Sequence, residues 1–453
     1  MKKHTNTKVA FAGPLLAWLV LGCTPEETGG GGTGGASSGG TATSGGTATG
    51  GTSVGTGGKA ATGGTSATGG TGYATTSEGF YKEVFMDVGV GLDDFDRLPA
   101  ADQLGYRWEF VSGEDQAAQR SYMASNANDA NGVLLYPDRE PRFMLLYTGG
   151  GYGEHAGAVG DQGIQNVKDF FYNGGSYTGT CHGNYLAWNW GYNFWPGSMK
   201  IDSYEGKVDG TIPADSPILR YYDFGGDHLI QGLDHYMGGY ATGTLPAGTE
   251  VLLIGKSAST QIDGDGHPTG WAYKPKETSG RMCGLADHPE YAFRSGEIMD
   301  YLAAAFHYAH DGVAPPDVKA SLVNGQERVM NKSSGDNDPA YTKIGDKQYH
   351  HFTVSLPSGA SEMTVTLNAD DRYQMNLYLA QNTIALASRA KYADTTAGAD
   401  KTLTVSSLES GTWYIGVECA ATVVATKTTT GYVYSGNLEV LNGVEYSIKA
   451  TWK

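Results

Sequence analysis

Four kinds of hydrophobic pattern succeed one another along the chain. A single apolar run, Val9 to Leu21, follows Lys2, Lys3 and Lys8. No apolar periodicity occurs from residue 28 to 72, which is almost wholly Gly, Thr, Ser and Ala. From about residue 75 to 315, short continuous apolar runs alternate with helical spacing. The runs Gly132–Tyr136 and Phe143–Tyr147 predict buried strands, since a strand covered on both faces reads as an unbroken apolar stretch. Ile164, Val167, Phe170 and Phe171 predict a helix over 162–173, ended by Gly174-Gly175. A short strand over Ser176–Thr180, helix from His182, a strand over Glu250–Ile254, a hairpin from Trp271 to Leu285 and a last helix over 293–309 follow. Strand and helix in alternation predict an α/β fold.

Beyond Pro315-Pro316 the period changes to two. Tyr349–Leu356, Met363–Leu367, Gln374–Leu379, Leu403–Val405, Gly411–Val417 and Tyr446–Thr451 alternate apolar with polar residues between polar turns. That is the pattern of an antiparallel β-sandwich. The expected organisation is a signal peptide over 1–23, a linker over 24–74, an α/β domain over 75–315 and a sandwich over 317–453.

Length agrees, since 453 residues exceed one ordinary domain. Apolar residues make up 40% of the chain, enough for packed cores. The net charge of −17 argues against a nucleic-acid partner, which needs a positive field. The four cysteines, Cys23, Cys181, Cys283 and Cys419, lie far apart with no CxxC spacing, so no metal site is expected.

The basic start and short apolar run are the layout of a signal peptide. Val20-Leu21-Gly22-Cys23 resembles the lipobox of bacterial lipoproteins. The resemblance implies cleavage before Cys23 and lipid on its thiol, hence membrane anchoring. Thr24 rather than Asp follows, so the expected location is the outer membrane or cell surface. The alternative is an ordinary cleaved signal with Cys23 incidental. The glycine-rich stretch reads as a flexible tether.

Chemistry is concentrated at three places. Gly179-Thr-Cys181-His182-Gly183 sets a cysteine between glycines at a predicted strand-to-helix junction. A sharp turn there exposes the side chain, as in the G-x-S-x-G turn of serine hydrolases, and a helix start favours thiolate. Asp287-His288-Pro289-Glu290 places a base and an orienting acid on one turn, as Cys–His catalysis requires. Tyr147-Thr-Gly-Gly-Gly151-Tyr152 is a glycine loop after a strand, suited to present amide N–H groups to a carbonyl oxygen. The aromatic cluster Trp188, Trp190, Tyr192, Phe194 and Trp195 either lines a pocket or packs the core. Asp263-Gly-Asp-Gly266 reads as a hairpin turn, and Cys283 and Cys419 as core residues.

Together these segments, with Tyr236-Met-Gly-Gly-Tyr240, resemble class I glutamine amidotransferase-like domains, in particular the N-terminal domain found in some biotin–protein ligases. The resemblance covers nearly all of residues 80 to 310. It implies a flavodoxin-like parallel sheet, with Cys181 as nucleophile, His288 as base and Glu290 as orienting acid. It also implies Gly150, Gly151 and the His182 amide as oxyanion donors, with Tyr152, Tyr185, Trp188 and Tyr236 as pocket candidates. His182 departs from the small residue often found there. Residues 317–453 resemble bacterial pre-peptidase C-terminal domains, jelly-roll-like modules appended to secreted enzymes. Some of these bind calcium, for which Asp336, Asp338, Asp370 and Asp371 are the candidates; no other cofactor is implied.

Two functions are compatible with this sequence. One is a membrane-tethered cysteine hydrolase acting on an amide, peptide or ester bond of a small molecule or peptide. The other is a catalytically silent surface protein that holds a glycan or peptide in the same pocket. Neither specifies an oligomeric state.

Overall fold

The structure, a computed structural model, describes residues 78–87, 97–111, 133–151, 155–256, 263–292, 296–429 and 431–453, without the side chains of 155–158. The segments expected as signal peptide and tether, with Cys23, and Tyr152 lie outside the described residues. Among the described residues no helix is long and apolar enough to cross a membrane.

Among the described residues eleven strands precede residue 290: β1 (Lys82–Asp87), β2 (Trp108–Val111), β3 (Phe143–Thr148), β4 (Ser176–Thr180), β5 (Ser198–Ile201), β6 (Glu205–Thr211), β7 (Leu229–Tyr236), β8 (Gly239–Thr242), β9 (Thr249–Lys256), β10 (Pro268–Tyr273) and β11 (Met282–Leu285). Nine form one sheet in the order β2-β1-β3-β4-β11-β10-β9-β6-β7, while β5 and β8 pair separately. From β2 to β11 the neighbours run parallel. From β11 to β7 every pairing is antiparallel. The sheet is therefore mixed, and the parallel arrangement expected from sequence describes only its first half. The β10–β11 connection, residues 274–281, is too short for the crossover that a parallel pair needs.

The α-helices among the described residues are α1 (Pro99–Gln103), α2 (His155–Tyr172, interrupted at Gly160), α3 (His182–Tyr185, continued by a π-turn over Leu186–Trp190) and α4 (Glu297–His310). Alternate strand residues divide between two cores. Val84, Met86, Leu145, Tyr147 and Leu285 pack with Leu302, Ala305 and Phe306 of α4. Phe85, Leu146, Tyr177 and Met282 join Val167, Phe170 and Phe171 of α2. Burial on both faces is why these strands read as continuous apolar runs.

Gly132 lies outside the described residues, and Val133–Tyr136, expected as strand, is buried but irregular. It folds back on itself, with Arg142 N donating to Leu134 O (2.8 Å) and Tyr136 N to Glu140 O (2.9 Å).

The C-terminal strands are β12 (Val318–Ser321), β13 (Glu327–Met330), β14 (Tyr349–Leu356), β15 (Glu362–Ala369), β16 (Met375–Gln381), β17 (Tyr392–Asp394), β18 (Lys401–Ser406), β19 (Gly411–Cys419), β20 (Val424–Lys427), β21 (Tyr432–Ser435) and β22 (Tyr446–Trp452). They form a five-stranded sheet, β12-β14-β19-β16-β17, and a four-stranded sheet, β13-β22-β15-β18. Val354, Leu377, Trp413 and Ile415 of the first meet Val365, Leu367 and Ile448 of the second in one apolar core.

That core is continuous with the α2 side of the large sheet, and the described residues all fall in one compact unit. The junction also holds buried charge. Lys319 Nζ reaches Asp138 (2.7 Å) and Glu140 (2.9 Å), and Arg142 pairs with Asp346. The β20–β21 ribbon lies against the edge strand β2, where Tyr434 bonds the buried Glu109 and Tyr432 meets Phe110 edge-on (5.7 Å).

Candidate active site

Three adjacent parallel strands, β3, β4 and β11, end at one place. Beyond their carboxyl ends come the Gly149–Gly151 loop, Cys181 and the Asp287–Glu290 turn, the usual position for a site in an open α/β sheet.

Cys181 is held in a sharp turn. Its φ is +45° and ψ −107°, a conformation costly for a residue with a Cβ. Its N–H donates to Leu285 O (2.8 Å), while its carbonyl receives Asn184 N (3.0 Å) and starts the helical turn. The flanking glycines are required by close approach. A Cβ on Gly179 would lie 2.8 Å from Asn184 N, and one on Gly183 would overlap the Thr148 carbonyl. The thiol is 9% exposed, whereas Cys283 and Cys419 are wholly buried. Burial pushes the Cys283 thiol up to about 12 and raises Cys419 as well.

His288 Nδ1 hydrogen-bonds Glu290 Oε1 (2.9 Å) across a 3₁₀ turn started by Pro289. Tyr291 stacks on the imidazole (4.8 Å between centroids, 9° between planes), and Tyr236 meets it edge-on (5.4 Å). Burial alone would lower the His288 pKa. The charges of Cys181 and Glu290, with the hydrogen bond to Glu290, outweigh it and raise the pKa well above the usual value. In this resting arrangement the thiol donates to Tyr236 O (3.6 Å), and Nε2 has no hydrogen bond of normal geometry. Such catalytic contacts commonly tighten only when substrate binds. Cys181, His288 and Glu290, a hundred residues apart in sequence, thus meet.

The glycine loop lies beside them. Gly149 N–H is used by Asp87 O (3.2 Å), and no hydrogen bond engages the Gly150 or Gly151 amides among the described residues. Gly150 abuts the His288 ring so closely that a Cβ there would overlap it. His182 is buried next to the thiol.

The chain is similar to three kinds of solved structure. One is a glutamine amidotransferase from Methylobacillus flagellatus, at 10% identity over 52% of this chain and 97% of that one, TM-score 0.33. A second is a thua-like protein from Bacteroides uniformis, at 12% identity over 52% and 94%, TM-score 0.33. The third is the pre-peptidase C-terminal domain of a collagenase from Bacillus anthracis, at 8% identity over 30% and 99%, TM-score 0.18. All these scores fall below 0.5 and carry no argument. No protein-family model and no curated protein matches the sequence.

The aromatic candidates separate. Tyr185 is buried, bonds Met237 O through its hydroxyl and stacks on Trp190 (4.7 Å). Trp188 turns away, its indole donating to Gly197 O (2.8 Å) and its ring packing on the core. Tyr192, Phe194 and Trp195 are core residues. The exposed aromatic and apolar side chains near the site are Trp190 (44% exposed), which faces the His182 ring (5.9 Å), Tyr236 (37%), whose carbonyl receives the thiol, and Met237 (42%) beside it in sequence.

His235 is buried behind this site. Its Nδ1 bonds Asp287 Oδ1 (2.8 Å), and Nε2 accepts Gly238 N–H (3.2 Å). His288 N donates to Asp234 O (2.8 Å), stitching the β7–β8 turn to the His288 turn. Tyr291, directly after Glu290, was unmarked in the sequence.

Two of the four calcium candidates are occupied locally: Asp336 Oδ2 accepts Ser333 N (2.7 Å), and Asp370 pairs with Arg372. Among the described residues no cluster of three His, Cys, Asp or Glu side chains could hold a metal.

Proposed function

We propose that this protein is an exported, membrane-tethered thiol hydrolase of the class I glutamine amidotransferase-like kind, followed by a pre-peptidase C-terminal-like sandwich. It cleaves an amide, peptide or ester bond through Cys181, His288 and Glu290. The observation that carries this reading is the positive-φ thiol beside an imidazole whose other nitrogen is held by Glu290.

His288 Nε2 takes the thiol proton and the sulfur attacks the substrate carbonyl carbon. The carbonyl oxygen becomes an oxyanion, held by the Gly150 and Gly151 amides and that of His182. As the tetrahedral adduct collapses, the bond to nitrogen or oxygen breaks and His288 returns its proton to the leaving group. Water then gives a proton to His288 and attacks the thioester, releasing the acid and restoring Cys181.

The rim supports an acyl group carrying an apolar or aromatic substituent, since Trp190, Tyr236 and Met237 expose apolar surface there and the nearby Lys207 and Asp234 neutralise each other (2.7 Å). An export signal and a 24–74 tether support action outside the cytoplasm on a substrate that diffuses to the surface.

Iodoacetamide applied to the full chain, with the modified cysteine mapped by mass spectrometry, tests this. Cys181 is expected to react much faster than Cys283 or Cys419, and His288→Ala to abolish the difference. Equal rates for Cys181 before and after that substitution would refute catalysis. The binding-only reading has one observation in its favour: the thiol's hydrogen bond goes to a carbonyl and not to the imidazole. An unreactive Cys181 with retention of an aromatic acyl amide would favour it.

A further inference from the structure

The carboxylate of Glu290 has a second partner besides His288. Thr180 Oγ1 donates to Glu290 Oε1 (3.0 Å), and Tyr147 OH lies 3.1 Å from the same Thr180 oxygen. All of these groups are buried. Proton counting fixes the direction of every bond. A hydroxyl has one proton, and an ionised carboxylate only accepts. Thr180 spends its proton on Glu290, so the Tyr147 contact runs from Tyr147 to Thr180. Burial raises the Tyr147 pKa well above its usual value, so the phenol keeps the proton it donates. Glu290 Oε1 then accepts two donors, Thr180 O–H and His288 Nδ1–H, while Oε2 has no partner.

We infer that Thr180, backed by Tyr147, is a positioning residue that holds the Glu290 carboxylate turned toward His288, so that Nε2 is the nitrogen left to take the thiol proton. The inference rests on the catalytic reading above. Its logic is local. Thr180 is the last residue of β4 and immediately precedes Cys181, so one strand end places both the nucleophile and the donor to the acid. The outer ring is fixed in turn, because Tyr147 meets Phe306 of α4 edge-on (5.0 Å). Without the Thr180 donor the Glu290 carboxylate can turn, and its hydrogen bond to His288 weakens. His288 then holds the thiol proton less firmly, and the thiolate reverts to thiol at a higher pH.

The test is the pH dependence of Cys181 alkylation by iodoacetamide in the full chain, read by mass spectrometry. Thr180→Val is expected to slow the reaction by about 10- to 100-fold, the range for a hydrogen bond to a charged group, and to move the acid limb to higher pH. Thr180→Ser should restore both, because it keeps the hydroxyl and loses only the methyl. Tyr147→Phe should move the limb the same way by less. A merely structural role predicts a lower melting temperature with an unmoved acid limb. The inference is overturned if Thr180→Val superimposes on the parent profile while His288→Ala still abolishes the fast reaction. Loss of that His288 dependence would instead overturn the catalytic reading itself.

Discussion

Substituting Gly150 by Ala tests how tightly the site is assembled. Gly150 has no left-handed φ, so the backbone tolerates alanine and the whole effect is steric. The new Cβ would lie 2.9 Å from His288 Nδ1 and 3.5 Å from Nε2, and would overlap Cε1. Carbon contacts settle at about 3.5–4.0 Å, so the ring must retreat by about 1 Å. Retreat is obstructed, because Tyr291 stacks on one side and Tyr236 abuts the ring. It would also stretch the 2.9 Å bond to Glu290. A misplacement of about 1 Å in a catalytic group costs about 100-fold in rate, or about 2.7 kcal/mol of barrier. The rate of Cys181 alkylation, with hydrolysis of a phenylacetyl p-nitrophenyl ester, measures it. Urea unfolding of the same sample checks the fold. An alanine variant with parental stability and parental reactivity would show that the ring is not confined as described.

Other perturbations have equally definite outcomes. Trp190→Ala should raise KM for aromatic acyl esters about tenfold, the effect of one lost stacking contact, with little change for acetyl esters; equal changes for both would remove Trp190 from substrate binding. Gly183→Ala forces a Cβ into the Thr148 carbonyl and should cost about 2 kcal/mol or more in urea unfolding, as overpacking does; unchanged stability would contradict the close crossing. Stability should also fall in acid. Burial holds His350 at about 4 and His351 at about 3, while burial and the Asp138 charge lift Glu140 to about 7. Between pH 6.5 and 4.5 the unfolded chain therefore binds two histidine protons that the folded chain refuses, against one on Glu140 that only the folded chain holds. The net of somewhat under one proton favours unfolding by about 2 kcal/mol over that interval. His351→Leu should abolish the slope, and an unaltered urea midpoint shift in that variant would refute the assignment.

The elbow was legible because it needs a local pattern: small residues two positions either side of a cysteine, between strand and helix. The His288–Glu290 turn was legible because both groups sit on one short segment. Their meeting with Cys181 depends on β11 pairing with β4, a long-range register that periodicity does not encode. The roles of Thr180, Tyr147 and Tyr291 were hidden for the same reason, since each acts on a residue distant in sequence or through ring packing. Apolar runs reported burial more faithfully than they reported strand: Val133–Tyr136 is wholly buried yet turns back before Arg142. Strands β1 and β2, beside an intervening stretch rich in polar residues, gave too little alternation to stand out. In the sandwich, where one face meets the core and the other meets water, the period-two signal located six strands, and missed β12, β13 and β17, which are at most four residues long.

The ribbon laid on β2 has a consequence for how this molecule can be divided. A chain ending at Pro316 would strip that rim of its cover, uncovering Phe110 and leaving Glu109 without the phenol of Tyr434. Asp138 and Arg142 would lose Lys319 and Asp346 at the same cut. Unpaired main-chain groups along a bared strand invite self-association. The two prolines mark a seam in the text of the chain and none in the solid object, so shuffling or trimming at that point would bare an adhesive edge.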